Sequence, residues 1–291
     1  MNVLCTVMGL FFVYGVNSLK KFFIRGLLIL IAAAALCAGG WCVWYLVQYY
    51  QGQSFGEEIR ESGPKEETVI HVPTEPEQPD IEEPEPEPKP ETIVIPVNFD
   101  ELHEINTDIY AWIDIPGTDI SYAVLHREGN NAFYMKHRED GSYYSGGSIF
   151  SEDYNSTDFS DKLTVLYGHN MRNDKEFSRL NDFSDVSVFD EYQYINIYFP
   201  DRALVFKVFA ACPHSNEHLM IEHDFTDRED FETFFADLLE TRSMDAQFRE
   251  DEFPSYDEDK ILVRSTCYRQ DKHQRFLVCG RLVKELPAET D

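Results

Sequence analysis

Residues 97–291 predict a mainly β domain, a barrel or a sandwich, with helical additions. Most apolar segments in this region are short runs bounded by turn residues, which is typical of buried strands. Tyr192–Phe199 (YQYINIYF) alternates along its length, a pattern that favours a strand with one buried face. The predicted strands are Tyr110–Ile115, Ile120–Leu125, Gly147–Ser151, Leu163–Tyr167, Tyr192–Phe199, Leu204–Cys212, Ile261–Cys267 and Arg275–Val283.

Four segments of the same region have helical character. Asn98 is suited to cap a short helix over Phe99–Asn106. Asp227–Thr241 carries phenylalanines and leucines at helical spacing, and its acidic first turn suits the helix dipole. Two further helices are predicted at Ala132–His137 and Lys175–Phe183. Because strands outnumber helices, the pattern favours a β framework with helices packed on it.

Residues 1–50 predict a membrane anchor. Gly26–Val47 is a run of 22 residues without a charge, long enough to span a hydrocarbon core of about 30 Å as a helix. A basic cluster ending at Arg25 precedes the run, so the positive-inside rule predicts that the C-terminal bulk of the chain is outside the cell. A cleaved signal peptide is the competing interpretation, but the apolar run is too long for one. The apolar residues 1–17 are either a second short span or an over-long start.

Residues 51–96 predict an extended, disordered linker between this anchor and the head at 97–291. Pro73–Glu91 contains seven of the 14 prolines of the chain, interspersed with glutamates. Such a composition cannot bury enough apolar surface to fold, and proline with like charges favours an extended chain. The linker is interpreted as a spacer for the head, or as a connection without a tuned length.

Charge and cysteine usage exclude some classes of function. The formal net charge of −28 repels phosphate backbones, which argues against nucleic acid as a partner. The head contains three cysteines, Cys212, Cys267 and Cys279, and an odd number does not make a disulfide framework. Cys212 and Cys279 lie in apolar strands and are predicted to be core thiols, with a bond between them left open. The histidines after Cys212 fit no zinc spacing, so no metal and no cofactor is predicted.

Three residues with reactive side chains lie at the ends of predicted strands. His169 follows Leu163–Tyr167, Cys267 ends the strand ILVRSTC, and Arg275 begins the strand RFLVCGRLV. A cysteine nucleophile needs a proton carrier, which a histidine supplies, and an arginine can hold a developing oxyanion. Each residue type alone is more often structural, as a buried thiol, a turn histidine or a surface charge. The combination is therefore a hypothesis of cysteine-based acyl transfer.

The sequence around these residues resembles the three active-site blocks of sortases. These blocks are YGHNM at 167–171, STC at 265–267 and the strand that begins at Arg275. Upstream, three further segments resemble the class B pattern of that family: WIDIPGTDISYAVLH (112–126), NNAFYM (130–135) and GGSIFSEDYN (146–155). The resemblance covers residues 98–284 and identifies the head as a class B sortase.

This resemblance implies a sortase-type eight-stranded β-barrel and a cysteine transpeptidase. Cys267 would attack the carbonyl of a threonine in the C-terminal sorting signal of a secreted protein and form a thioacyl intermediate. His169 would be the general acid and base, and Arg275 would stabilise the oxyanion or align the signal. The positions that match signal-binding residues of the family are Asn131, Met135, Tyr167, Ser265 and Thr266.

The implied partners are secreted proteins with an NPQTN-like or Ser/Asn-Pro-x-Thr-Gly-like signal, the amine of a peptidoglycan precursor, and the lipid bilayer of a Gram-positive-type bacterium. A pilus-polymerising sortase, which uses the lysine of a pilin as the amine, is one alternative. A non-catalytic surface module that binds peptides is another. Two departures from the family, Arg264 in place of a common Leu or Thr and RNDKEF after YGHNM, leave the signal itself open.

Overall fold

The computed structural model describes residues 25, 27–47, 59–64, 91–171 and 177–289. The chain divides into two compact units, Met1–Glu57 and Glu58–Asp291. In the first unit, Leu27–Val47 is one helix of 21 residues with exposed side chains, and it is long and apolar enough to cross a membrane. The predictions for residues 1–17 and for the Pro/Glu run at 73–90 lie outside the described residues.

The described residues of the second unit form nine strands. They are β1 (Ile109–Asp114), β2 (Ser121–His126), β3 (Ile149–Ser151), β4 (Leu163–Tyr167), β5 (Tyr194–Tyr198), β6 (Arg202–His214), β7 (Gln247–Phe248), β8 (Ile261–Cys267) and β9 (Arg275–Pro287). The sheet order is β5-β1-β2-β3-β4-β8-β9-β6, and pairing of β5 with β6 closes the ring. The predicted eight-stranded barrel is confirmed. The two-residue strand β7, which pairs with β6 outside the ring, was not predicted.

Four α-helices and three short 3-10 helices accompany the described strands. The α-helices are α1 (Phe99–Ile105), α2 (Val186–Glu191), α3 (Leu219–Glu222) and α4 (Arg228–Leu239). The side chain of Asn98 caps α1 by accepting a hydrogen bond from the Glu101 N–H, as predicted. The helices predicted around 132–137 and 175–183 are 3-10 helices over Phe133–Met135 and Phe177–Ser184, with residues 175 and 176 outside the described part. Neither α2 nor α3 was predicted.

Strand alternation gives the barrel two apolar layers. Leu166 of β4 lies in the cluster that fills the barrel interior, whereas its neighbour Val165 lies in a second cluster on the outer face. Helix α4 covers that outer face with Phe231 and Phe235, which are buried. The strands β4 and β8 are therefore packed on both faces, and their side chains become accessible only at the last residue of each strand.

A short segment N-terminal to the barrel, residues 59–64, packs against it; we call it the docked segment. Ile59 is buried, and the guanidinium of Arg60 lies 4.7 Å from the centre of the Tyr122 ring. Gly63 lies so close to Trp112 that a Cβ atom would come within 2.3 Å of the indole ring. Only glycine permits this approach, so the docked segment is fitted to the barrel surface.

The chain meets the barrel again at residue 93. The N–H of Ile93 donates to the Pro287 carbonyl at 3.0 Å, and the Ile93 carbonyl accepts from the Glu289 N–H at 2.9 Å. The sequence places residues 51–96 in an extended linker. In the structure two parts of that range, 59–64 and 91–96, belong to the same compact unit as the barrel.

Candidate active site

The three predicted catalytic residues lie at or near the ends of three neighbouring strands. In the parallel pair β4–β8, Tyr167 lies opposite Ser265, and the Gly168 N–H donates to the Ser265 carbonyl at 3.2 Å. Beyond this register, Asn170 Nδ2 donates to the Cys267 carbonyl at 2.8 Å, so the segment that contains His169 runs alongside the end of β8. In the antiparallel pair β8–β9, Cys267 lies directly opposite Arg275. Cys267 and Arg275 are thus paired, and His169 lies in the segment that contacts Cys267; we call these three predicted residues the catalytic row.

Arg275 points its guanidinium at the thiol. Its Nη1 donates a hydrogen bond to Cys267 Sγ at 3.3 Å. Residues directly opposite each other in a sheet project to the same face, which explains the contact. The contact therefore places a cationic N–H donor directly at the sulfur. The planar fork carries further N–H groups that this hydrogen bond leaves available to a substrate oxygen.

His169 is oriented by a backbone carbonyl. Its Nε2 lies 2.9 Å from the carbonyl oxygen of Met135 in the 3-10 helix Phe133–Met135. A carbonyl can only accept, so Nε2 carries the proton in this contact. The remaining nitrogen, Nδ1, is then the one that can take up or release a proton. His169 is partly exposed, as a group that exchanges protons with a substrate must be.

Two amides hold the backbone at the nucleophile. The carbonyl of Cys267 accepts from Asn170 Nδ2 at 2.8 Å and from Asn181 Nδ2 at 3.3 Å. The Oδ1 of Asn181 in turn accepts from the Arg269 N–H at 2.8 Å. These contacts fix the end of β8 and the turn that follows it. Asn170 lies inside the YGHNM block, but nothing in the sequence signals Asn181.

The five predicted substrate-binding residues differ in their surroundings. Tyr167 and Ser265 lie opposite each other on the outer face, next to the catalytic row. Met135 is exposed beside His169, with 40% of its surface accessible. Asn131 uses its Oδ1 to accept from the Asp153 N–H at 2.9 Å, which ties two loops together. Thr266 is fully buried on the interior face of β8, so its side chain is separated from the other four.

A small cavity opens beside Arg275 on the outer face. Tyr167, Ser265, Arg275 and Leu277 line one side of it, and residues 214–219 line the other. Burial raises the pKa of Tyr167 far above its ordinary value, with a further contribution from the nearby Glu152 carboxylate. The cavity adjoins the catalytic row, and its lining mixes apolar and polar side chains. The sequence did not indicate residues 214–219 as part of it.

Comparison with known proteins places this fold among sortases. No protein-family model matches the chain. Sortase B of Listeria monocytogenes is 26% identical over 185 residues, which cover 63% of this chain and 73% of that protein. The crystal structure of Clostridium perfringens sortase B is also 26% identical, with a TM-score of 0.57 over 64% of this chain and 100% of that one. The protein is a sortase of the class B type. A Staphylococcus aureus sortase B–substrate complex is similar to it at 26% identity, with a TM-score of 0.56 over 64% of this chain and 84% of that one.

As a sortase the protein is a cysteine transpeptidase, and the surroundings of its thiols select one candidate nucleophile. Among the described cysteines of the barrel unit, Cys212 and Cys279 are free and buried, whereas Cys267 is partly exposed. Burial raises the pKa of the Cys279 thiol to about 12, and it also raises that of Cys212. Both are therefore protonated and inaccessible at neutral pH, as expected of core thiols. Of these three, only Cys267 combines access with a cationic hydrogen-bond donor.

Proposed function

We propose that this sortase cleaves the C-terminal sorting signal of secreted proteins after a threonine and joins the threonine to an amine of a cell-wall precursor. The observation that carries the proposal is the hydrogen bond of 3.3 Å from Arg275 Nη1 to Cys267 Sγ, beside the segment that contains His169. The row supplies a nucleophile, a proton carrier and an oxyanion donor, which are the three groups that thioester chemistry requires.

In the first half-reaction, Cys267 Sγ attacks the threonine carbonyl carbon. The guanidinium of Arg275 stabilises the negative charge that develops on the carbonyl oxygen. The C–N bond then breaks, and protonated His169 gives its proton to the departing amine through Nδ1. The signal peptide leaves with a new amino terminus, and the threonine remains bound to sulfur as a thioester.

In the second half-reaction, an amine attacks the thioester carbonyl. His169 accepts the proton that the amine loses, and Cys267 leaves as a thiolate. One peptide bond is broken and one amide bond is formed, so the exchange needs no oxidant, reductant or cofactor. The Met135 carbonyl holds the same imidazole nitrogen through both half-reactions, which leaves Nδ1 to serve in each.

The N-terminal helix supports a location at the outer face of a cell membrane. Leu27–Val47 is long and apolar enough to span the bilayer, and the basic residues before it favour an external C-terminus. We propose a single-pass enzyme whose barrel is extracellular, where secreted proteins pass. An NPQTN-like or Ser/Asn-Pro-x-Thr-Gly-like signal is the proposed donor, in line with the family resemblance. A structure of a sortase B complexed with triglycine supports a primary amine as the acceptor.

Mass spectrometry of the full-length protein in detergent, with a panel of Pro-x-Thr peptides and triglycine, tests this proposal. We expect cleavage after threonine, an acyl adduct on Cys267 and an amine-linked product. Cys267→Ala should lose at least about 10³-fold in activity, because removal of a nucleophile disables the whole catalytic unit. Cys42→Ala, in the apolar helix, is the matched control and should retain activity.

Two results would contradict the proposal. Full cleavage by Cys267→Ala would exclude the thioester mechanism. Failure of Cys267 to react selectively with a thiol probe, together with no cleavage of any peptide, would instead favour a non-catalytic peptide-binding module.

Pilus polymerisation is a second candidate, because a Streptococcus pyogenes class B sortase involved in pilus biogenesis is 27% identical, with a TM-score of 0.55. The two candidates differ only in the acceptor amine. Competition between a wall-type amine, such as diaminopimelate or triglycine, and a pilin lysine peptide in the same reaction separates them. Preferential transfer to the lysine peptide would identify a pilin, and not a wall precursor, as the acceptor.

A further inference from the structure

An ion pair between Glu152 and His218 connects two distant parts of the chain next to the proposed active site. His218 Nε2 lies 2.7 Å from Glu152 Oε2. Glu152 directly follows β3, whereas His218 lies in the segment between β6 and α3. The contact therefore fastens the beginning of the long β6–β8 connection to the barrel.

The pair is largely withdrawn from water. The side chains of Glu152 and His218 are 13% and 32% exposed. The imidazole ring lies beside two aromatic rings, with centroid distances of 5.4 Å to Tyr154 and 5.9 Å to Tyr167. Burial raises the pKa of the Glu152 carboxyl, and the charge of His218 opposes that effect. Removing one partner of a shielded pair is costly, because it leaves the other group buried without compensation.

His218 uses its side chain for this contact in preference to a local one. It is the N-cap residue of α3, yet its side chain makes no capping hydrogen bond. Leu219, the first residue of α3, is buried and faces the cavity beside Arg275. The pair thus sets the position of residues 214–219, which form one wall of that cavity. Tyr167 belongs to the opposite wall, and its ring centre lies 5.9 Å from that of His218, so the pair adjoins both sides of the cavity.

We propose that Glu152 and His218 are positioning residues that hold the wall 214–219 against the donor peptide. This inference rests on the proposed transpeptidase function. The cavity follows the catalytic row along β4 and β8, where a peptide that places its threonine carbonyl at Cys267 must extend. Without the pair, the wall moves away from Tyr167 and Ser265, and the donor peptide binds less well. The chemistry at Cys267 does not change, because neither residue belongs to the row.

Steady-state kinetics of Glu152→Ala, His218→Ala and the double variant, in full-length protein in detergent, test this role. Each single variant should raise KM for the donor peptide about tenfold, the usual effect of one lost positioning contact, with kcat changed by less than about twofold. The double variant should be no worse than either single variant, because the two residues act through one contact. Glu152→Gln, which keeps the shape and one acceptor oxygen, should be intermediate.

A second ion pair of the same connection is the matched control. His223 Nδ1 lies 2.9 Å from Asp230 Oδ1 with comparable exposure, but neither residue lines the cavity beside Arg275. His223→Gln and Asp230→Asn should leave KM for the donor unchanged. The rate of alkylation of Cys267 should be the same in all variants, since the catalytic row is intact.

Amide hydrogen exchange gives a readout that does not depend on activity. Glu152→Ala should accelerate exchange within 214–222 and not within α4 (Arg228–Leu239). Unchanged exchange in 214–222 would overturn the inference, whether or not a donor peptide is found. Failure to find a donor peptide would, by itself, count only against the proposed function. An unchanged KM with a lowered melting temperature would also overturn it, since the pair would then stabilise the fold only. A fall in kcat and in Cys267 alkylation would overturn it by assigning the pair to the catalytic row.

Discussion

Replacing Arg264 with methionine should stabilise the protein, although Arg264 lies only three residues before the proposed nucleophile. Arg264 is fully buried on the interior face of β8, opposite Val278. Within the described part of the chain, none of its three guanidinium nitrogens has a hydrogen-bond partner. Its closest aromatic contact is with Phe183, at 5.8 Å from the guanidinium carbon to the ring centre. A charged group in such a position carries an uncompensated desolvation cost.

The pKa of Arg264 measures this cost. Burial lowers the pKa of its guanidinium from the ordinary value to about 9, which corresponds to a penalty on the order of 5 kcal/mol at neutral pH. Replacements of buried charged groups by apolar ones gain about 1–4 kcal/mol in measured cases. We therefore expect Arg264→Met to raise the free energy of unfolding at pH 7 by about 2–4 kcal/mol.

The same pKa predicts how the gain depends on pH. Between pH 9 and the ordinary arginine pKa, the unfolded state binds more protons than the folded state, so wild-type stability rises with pH in this window. Below pH 9 the penalty is complete and constant. The advantage of Arg264→Met should therefore shrink by about 2 kcal/mol between roughly pH 7 and pH 10.5.

Urea denaturation of both proteins at the two pH values measures these differences. Groups that titrate identically in the two proteins cancel in the comparison. Arg242→Met is the matched control, because the Arg242 side chain is 88% exposed, and it should change stability by less than about 0.5 kcal/mol. If Arg264→Met is less stable than wild type at neutral pH, the guanidinium has acceptors in solution and the reasoning fails.

Three further perturbations test other parts of the structure. Burial raises the pKa of Asp114 to about 6, so its contribution to stability is greatest below about pH 4 and is lost as pH rises through 6. Asp114→Asn should therefore raise the free energy of unfolding at neutral pH by about 1–3 kcal/mol in urea denaturation, and an equal or lower stability would refute the assignment. Gly63→Val should clash with Trp112 and expose the docked segment to trypsin; protection as in wild type would contradict the close fit. Arg275→Lys keeps the charge but not the fork, and should lower kcat/KM about 10²–10³-fold; near-wild-type activity would argue against an oxyanion role.

The sequence was sufficient to predict most of the barrel. Leu163–Tyr167 and Ile261–Cys267 were predicted with the bounds that the structure has, because continuous apolar runs between polar loops leave few alternatives. Gln247–Phe248 was missed because two residues have no periodicity, and their pairing depends on the position of β6. Leu219–Glu222 was missed for a similar reason, since a single helical turn is determined by its tertiary contacts.

In the site, too, residues carried by short local motifs were predictable, whereas contacts between residues far apart in the chain were not. His169 and Cys267 were predicted as catalytic residues because short motifs carry them at strand ends, and β4 and β8, which precede the two residues, are paired in parallel. The contact of Glu152 with His218 was not predictable, since the two residues are remote in sequence and neither lies in a recognisable metal or catalytic spacing. Arg264 was noted as a departure from the family pattern, but its complete burial follows from the inward-facing register of β8.

The docked segment determines which residues set the length of chain between the apolar helix and the barrel unit. Residues 59–64 and 91–96 both belong to the barrel unit, so the 26 residues between them join two segments of that same unit. Eleven residues, 48–58, remain between the apolar helix and the docked segment, a contour of at most about 40 Å. Deletions in the Pro/Glu run should therefore leave the accessible range of substrates on the cell surface unaltered, whereas deletions in 48–58 should shorten it. A protease that cuts once in the Pro/Glu run would nick the enzyme without removing the docked segment from its N-terminal anchor.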